Sequence, residues 1–442
     1  MSDTITLQTR RDFLRTSVLG GALSWTVPAF LANTFSALQA GAADSAVQTA
    51  TGKDAPIFVI LQLAGGNDGL NTVVPYSNDF YRKARPKIGA PGNALLKIDD
   101  QIAFPKSLAG FKDLYDAGNL SVIQGVGYPN PNRSHFRSTE IWQTASDEDK
   151  TLNYGWIGRY FDNACSGADP TVGVSIGRQA PQSFNAKNPT GVTLDNPQSY
   201  RFNAGPKMKD GQMNPDERSF RELNGIGDGA ENSGATIGAL GGPVKRTGSV
   251  MDFLERTALD AQVSSDKILE ITRRVKTTAV YPGSQLGNSL KLVGKLIAGG
   301  LPTRVFYLSQ GGYDTHTNQV AQHDRLLQDL GDSVKAFVQD MRQQGNLGRV
   351  LLMTFSEFGR RLAENASGGT DHGAAAPLFV VGARVRAGVH GRHPSLAPED
   401  LLNGDAQFHI DFRSVYASVL EEWLKTSSEI VLGRPFQPLP LV

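Results

Sequence analysis

The feature that most constrains this chain is the run Pro56 to Leu63 (PIFVILQL), continuously apolar and rich in β-formers, which breaks abruptly into Ala64-Gly65-Gly66-Asn67-Asp68-Gly69. An unbroken apolar strand must be covered on both faces, so it predicts a buried strand of a parallel sheet delivering a polar loop at its carboxyl end. Comparable runs lie at Leu120 to Val126, Thr303 to Leu308, Val350 to Phe355 and Leu378 to Val381. Apolar spacings of three and four between them predict helices at Ser107 to Ala117, Ser249 to Thr277, Gln285 to Ala298, Ala321 to Gln344 and Asp411 to Leu424. Alternating strands and helices imply an α/β fold whose mostly parallel sheet is covered on both faces.

The amino terminus reads differently. Thr9-Arg10-Arg11-Asp12-Phe13-Leu14-Arg15, an apolar stretch from Ser17 to Leu31 and small residues around Ala40-Gly41-Ala42 match a twin-arginine export signal with cleavage before Ala43. The apolar run is shorter than the roughly 20 residues a membrane span needs, which disfavours a transmembrane helix. Residues 1–42 are therefore an expected signal peptide, and 43–442 a single exported domain, periplasmic or secreted, with the translocase as its partner during export. This route carries folded proteins, often with a cofactor already bound.

With 44 Lys and Arg against 43 Asp and Glu, and no long basic run, the chain lacks the charge that nucleic-acid binding requires. Its one cysteine, Cys165, excludes internal disulfides, zinc ribbons and Cys-x-x-Cys chemistry. Between Gln182 and Lys245 the composition turns to Gly, Asn, Pro and Asp without periodicity, which reads as an irregular insertion, either a lid or a surface excursion.

Ligands in open α/β sheets bind beyond the carboxyl ends of strands. Collecting the polar residues there yields Asn67, Asp68 and Asn71; Asn132 to His135; Gly311 to Gln319; and Ser356 to Arg361, with Gly368 to Gly373 preceding the last strand. Carboxylates and imidazoles among them, namely Asp68, Asp314, His316, Glu357, Asp371 and His372, are the donor types a divalent cation needs: zinc, or calcium, magnesium or manganese, as one or two ions. Singly, Asp68 also suits a turn and Asp371 a helix cap. Ser134 opens the predicted helix Ser134 to Thr144, at the positive end of its dipole, where a nucleophile or an ordinary N-cap would sit. Arg133 and Arg137 either grip anionic oxygens or face solvent.

The order of these motifs resembles the alkaline-phosphatase-like superfamily, which includes sulfatases and the metal-dependent phosphoglycerate and phosphopentose mutases. More narrowly, it resembles the exported family known as domain of unknown function 1501, through Gly65 to Asn71, Arg133-Ser134-His135-Phe136, Gly311 to His316, Ser356 to Arg360 and Gly369 to Gly373. The resemblance implies a three-layer sandwich and a hydrolase of phosphate or sulfate esters. Asp68 with Glu357 would hold the first metal, and Ser134 would be the nucleophile beside Arg133 and His135. Asp314, with His316 or Asn318, and His372 would hold the second. Glu357-Phe358-Gly359 stands where the superfamily has Asp-His-Gly. That change implies a weaker metal, a single metal, or a pair made by Asp371 and His372 with His390 as the last ligand. The alternative is a non-catalytic envelope protein of the same fold binding an anionic glycan or a protein partner. No Gly-x-Gly-x-x-Gly or phosphate-loop motif supports a nucleotide-binding protein.

Overall fold

The computed structural model describes residues 55–197, apart from 167 and 189, and residues 263–442. The expected signal peptide and residues 198–245 of the expected insertion lie outside the described residues. The strands in chain order are β1 (Ile57–Leu63), β2 (Leu95–Lys97), β3 (Ala103–Pro105), β4 (Leu120–Gly127), β5 (Gly173–Ile176), β6 (Val192–Leu194), β7 (Val305–Gln310), β8 (Val350–Phe355), β9 (Ala376–Gly382), β10 (Gly388–His390) and β11 (Ile410–Asp411). Nine of them form one sheet in the order β10-β4-β9-β8-β1-β7-β5-β6, with β11 added beside β4; β2 and β3 form a separate hairpin.

Every residue of β1 is buried. Side chains alternate across a strand, so Ile57, Val59, Leu61 and Leu63 enter one core layer and Phe58 and Ile60 the other. The first layer is closed by the helices Ala109–Asp116, Gln285–Ala298 and Gln319–Gln343, through Phe111, Leu290, Leu327 and Phe337. The second is closed by His135–Thr144, Trp156–Ala164 and Phe412–Ser418, through Trp142, Trp156 and Tyr416, the last two with stacked rings. The result is the expected three-layer α/β sandwich.

One strand runs against the others. β9 pairs antiparallel with both β8 and β4, whereas β1 is parallel to β7 and β8. Its amino end therefore lies at the rim where β1, β4, β7 and β8 end. That reversal is how a loop preceding a strand, Gly368 to Gly373, joins loops that follow strands. The short strands β5, β6, β10 and β11 carry too few apolar residues to stand out in the sequence. β6 arises inside the stretch expected to be irregular, where Val192 and Leu194 reach the core.

Candidate metal centre

Two glycines open the rim. Gly65 (φ +119°) and Gly66 (φ +74°) turn the chain sharply after β1. A Cβ on Gly65 would lie 2.4 Å from the Asp314 amide nitrogen, and one on Gly66 would lie 2.2 Å from the Phe358 ring. Only glycine lets the loops after β7 and β8 close on the loop after β1. Arg360 and His372 then form an antiparallel bridge, extended by the Gly359 and Gly373 amides, which zips the loop after β8 to the loop before β9.

Four donors converge here. The His316 Nε2 and His372 Nε2 atoms are 2.9 Å apart, and each lies 3.1 Å from Asp314 Oδ1. Bonds of about 2.0–2.2 Å to one cation place neighbouring ligands roughly 3 Å apart, so this triangle has the dimensions of one ion's ligand set. His135 approaches from the start of its helix, with Nε2 3.5 Å from Asp314 Oδ2. The donor atoms of His135, Asp314 and His372 all lie within 4.8 Å of one another.

Partners set the tautomers. His372 Nδ1 faces the Arg133 carbonyl at 2.8 Å, which can only accept. His316 Nδ1 faces Asp371 Oδ1 at 3.3 Å, and His135 Nδ1 faces Glu357 Oε1 at 2.8 Å. Each ring thus spends its N–H outward and aims an Nε2 lone pair at Asp314. His135 Nε2 is buried and has no hydrogen-bond partner among the described residues. His135, Asp314 and His372 form one set of donors within ligand reach, and His316 meets the same Asp314 and His372 atoms; lone pairs crowded on a carboxylate need a positive charge between them, so the donor set fits a divalent cation.

The electrostatics agree. Burial pushes the Asp314 carboxyl up, but Arg360 foremost, through its hydrogen bond and its charge, outweighs it and holds the pKa at about 2. The hydrogen bond to Glu357 raises the His135 pKa against the effect of burial, so a cation there competes with a proton. Burial lowers that of His372, favouring the neutral ring that ligates.

The loop after β8 wraps the cluster. Glu357 is buried, and its Oε1 also accepts the Gly65 N–H at 2.8 Å. The Phe358 ring centroid lies 4.9 Å from that of His135 and 4.4 Å from that of His372. The Arg360 guanidinium donates to Asp314 Oδ1 at 2.9 Å and to the carbonyls of Gly65, Gly66, Tyr313 and Thr370.

Several expected site residues are placed elsewhere. Asp68 is fully buried; Oδ2 pairs with Arg85 at 2.7 Å and accepts from Gln319, while Oδ1 takes the Asn71 amide. Its carboxylate is therefore saturated by protein donors and stands apart from the four. Glu357 meets the outer nitrogen of His135 instead of pairing with Asp68 around an ion. The Arg133 side chain pairs with the buried Asp405, so only its carbonyl serves the cluster. Arg137 binds the carbonyls of Asp147, Glu148 and Lys150. Asp371 sits behind His316. His390, on β10, donates from Nε2 to the Arg386 carbonyl at 2.6 Å, away from the centre. Asn318 is the left-handed N-cap residue of the Gln319–Gln343 helix. Ser134 is exposed and occupies an N-cap position, but its side chain makes no capping hydrogen bond.

Arg85, Gln319 and Arg360 drew no role from the sequence. Arg360 stood inside a recognised phrase, but nothing in its spacing told a solvent-facing arginine from one tied to four carbonyls.

Residues 233–432 match the model of a family described as "Protein of unknown function (DUF1501)". That span contains Asp314, His316, Glu357, Asp371 and His372; Asp68, Ser134 and His135 precede it. No curated protein sequence matches the chain. Among solved structures, a protein in the alkaline phosphatase superfamily from Vibrio parahaemolyticus is similar with a TM-score of 0.36 and 9% identity, over 93% of this chain and 80% of that one. The alkaline phosphatase of the Antarctic bacterium TAB5 has a TM-score of 0.33 and 11% identity, over 74% and 92%. The lipoteichoic acid synthase LtaP of Listeria monocytogenes has 0.33 and 7%, over 77% and 67%. Likenesses at this level carry no chemistry over to this chain.

Proposed function

We propose that this chain is an exported, metal-dependent hydrolase of phosphate or sulfate esters. Its centre would be a single ion held by His135, Asp314, His316 and His372. The convergence of three Nε2 lone pairs on the Asp314 carboxylate carries this reading. Three imidazoles and one carboxylate suit zinc or another borderline transition metal better than calcium or magnesium, which prefer all-oxygen shells. When bound, such an ion polarises an ester oxygen and acidifies a hydroxyl or water.

The chain's own residues supply the rest. Ser134 presents an uncapped, exposed hydroxyl at the amino end of a ten-residue helix, next to His135 in sequence. The free N–H groups of that helix end favour an anionic group beside the hydroxyl. Ser134 Oγ would bond to phosphorus or sulfur as the substrate's alcohol departs, and water would then release the anion. The test is metal analysis of the purified full chain, with turnover of aryl phosphates and aryl sulfates before and after chelation. About one zinc-type ion per chain and chelator-sensitive hydrolysis are expected; folded protein without a stoichiometric ion sinks the reading.

The engagement of Asp68 and Arg133 in ion pairs favours a second reading, a non-catalytic protein of this fold that binds an anionic glycan or a protein partner. In that case Ser134→Ala leaves ligand binding intact. Export rests on the phrase Thr9 to Arg15. Among the described residues no helix is long and apolar enough to cross a membrane.

A further inference from the structure

The stretch Ser356 to Arg360 touches the cluster at three of its four donors: it meets His135 and His372 from behind or along their rings, and only Arg360 reaches an oxygen that an ion would share, Asp314 Oδ1. We propose that this loop donates no ligand and instead orients the centre, with Glu357, Phe358 and Arg360 as positioning residues for His135, His372 and Asp314. This rests on the metal reading above.

Glu357 stands behind His135. Its Oε1 is 2.8 Å from His135 Nδ1 and 2.8 Å from the Gly65 amide, so one oxygen ties the ligand ring to the β1 loop. A carboxylate in that place fixes the ring's tautomer and makes Nε2 more basic. The main chain of Glu357 is held as well, because its carbonyl accepts from Ser138 Oγ on the His135 helix. Arg360 closes the other side. Its side chain is 0% exposed and binds the Gly65 and Gly66 carbonyls together with Asp314, which aims that carboxylate before any ion arrives. Gly65 thus links both arms: its N–H serves the carboxylate that holds His135, and its carbonyl serves the guanidinium that holds Asp314. Phe358 packs against both the His135 and the His372 ring, which meet each other edge to face, and a smaller side chain there would let both turn. Ser356 Oγ anchors the loop, donating to the Leu63 carbonyl and accepting from the Asn67 amide at 2.8 Å each.

The competing possibility is that Glu357 is itself a ligand, since its Oε2 is buried without a hydrogen-bond partner among the described residues. Metal affinity separates the two. Metal-free full chain is titrated with zinc against a chromophoric chelator, and the visible spectrum of the cobalt(II)-loaded protein is recorded for wild type, Glu357→Gln, His135→Ala and the double variant. As a positioning residue, Glu357→Gln weakens zinc binding by about ten- to a hundredfold and keeps the wild-type cobalt band. The double variant then binds no more weakly than His135→Ala alone. Phe358→Leu, an apolar exchange that preserves burial, weakens zinc several-fold and covers the case in which Glu357→Gln does not fold. Additive losses in the double variant, or a cobalt spectrum showing a lost ligand in Glu357→Gln, would make Glu357 a ligand and overturn the proposal. Wild-type affinity in both Glu357→Gln and Phe358→Leu overturns it too, while leaving the metal reading standing. A wild-type chain that takes up neither zinc nor cobalt ends both.

Discussion

His316 and His372 face each other nitrogen to nitrogen, Nε2 to Nε2 at 2.9 Å, while the Nδ1 atom of each points outward at an acceptor. Two neutral rings arranged in this way oppose their lone pairs. The contact is stable only with a proton or a cation between them, and Asp314 Oδ1, 3.1 Å from both nitrogens, supplies the complementary charge.

Removing either ring therefore removes metal. His316→Ala and His372→Ala are expected to fall from about one bound ion to well below stoichiometry by elemental analysis. Both rings are partly exposed, so the metal-free unfolding midpoints should stay close to wild type. Full metal content in both variants would place the ion elsewhere.

Ser134 separates chemistry from binding. Its hydroxyl is exposed and caps nothing, so Ser134→Ala should change stability by no more than about 0.5 kcal/mol. Metal content should be unchanged while ester turnover falls by orders of magnitude. Retained turnover with bound metal would point to a metal-activated water as the nucleophile.

Asp68 is expected to hold the fold and not the ion. It and Arg85 are 2.7 Å apart, with both side chains 0% exposed, and breaking such a pair costs about 3–5 kcal/mol. Burial pushes the Asp68 carboxyl up, but Arg85 outweighs it and the pKa lies below its ordinary value. A depressed folded-state pKa stabilises above the unfolded value of about 3.9, and the stabilisation is lost as pH falls through the folded value. Urea unfolding should thus show a large deficit for Asp68→Asn at pH 7 that shrinks in acid, with zinc affinity unchanged. A variant that is stable but metal-free would restore Asp68 as a ligand.

Gly66 tests how tightly the loops must close. Gly66→Ala would set a Cβ 2.2 Å from the Phe358 ring at φ +74°, a strain of about 1–3 kcal/mol. Denaturant unfolding should register that loss, and the zinc titration a weaker centre, because Phe358 packs on two ligand rings. Unchanged zinc affinity would show that the ring's position does not matter.

Much of the architecture was legible because burial on both faces leaves an unmistakable apolar run: β1, β4, β7, β8 and β9 all stand within a few residues of their expected bounds. The helix Gln285–Ala298 stands at its expected limits because its apolar spacing is regular and Ser284 caps it. The rim itself was legible too, since glycines and polar residues crowd the strand ends. Strands of two to four residues were not, as their pairing comes from neighbours and not from their own composition.

Two loops carry nearly the same phrase, Gly65-Gly66-Asn67-Asp68 after β1 and Gly311-Gly312-Tyr313-Asp314 after β7, on neighbouring parallel strands. Sequence alone determined that each places a carboxylate at the rim of the sheet, because glycine pairs after apolar strands do so locally. It contained nothing to tell the two aspartates apart. Tertiary structure decided that Arg85 and Gln319 neutralise Asp68 in the interior, while Arg360 and three imidazoles surround a half-exposed Asp314. A carboxylate's role depends on which groups reach it, and Gln319 for Asp68, like Arg360, His135 and His372 for Asp314, arrives from another segment of the chain.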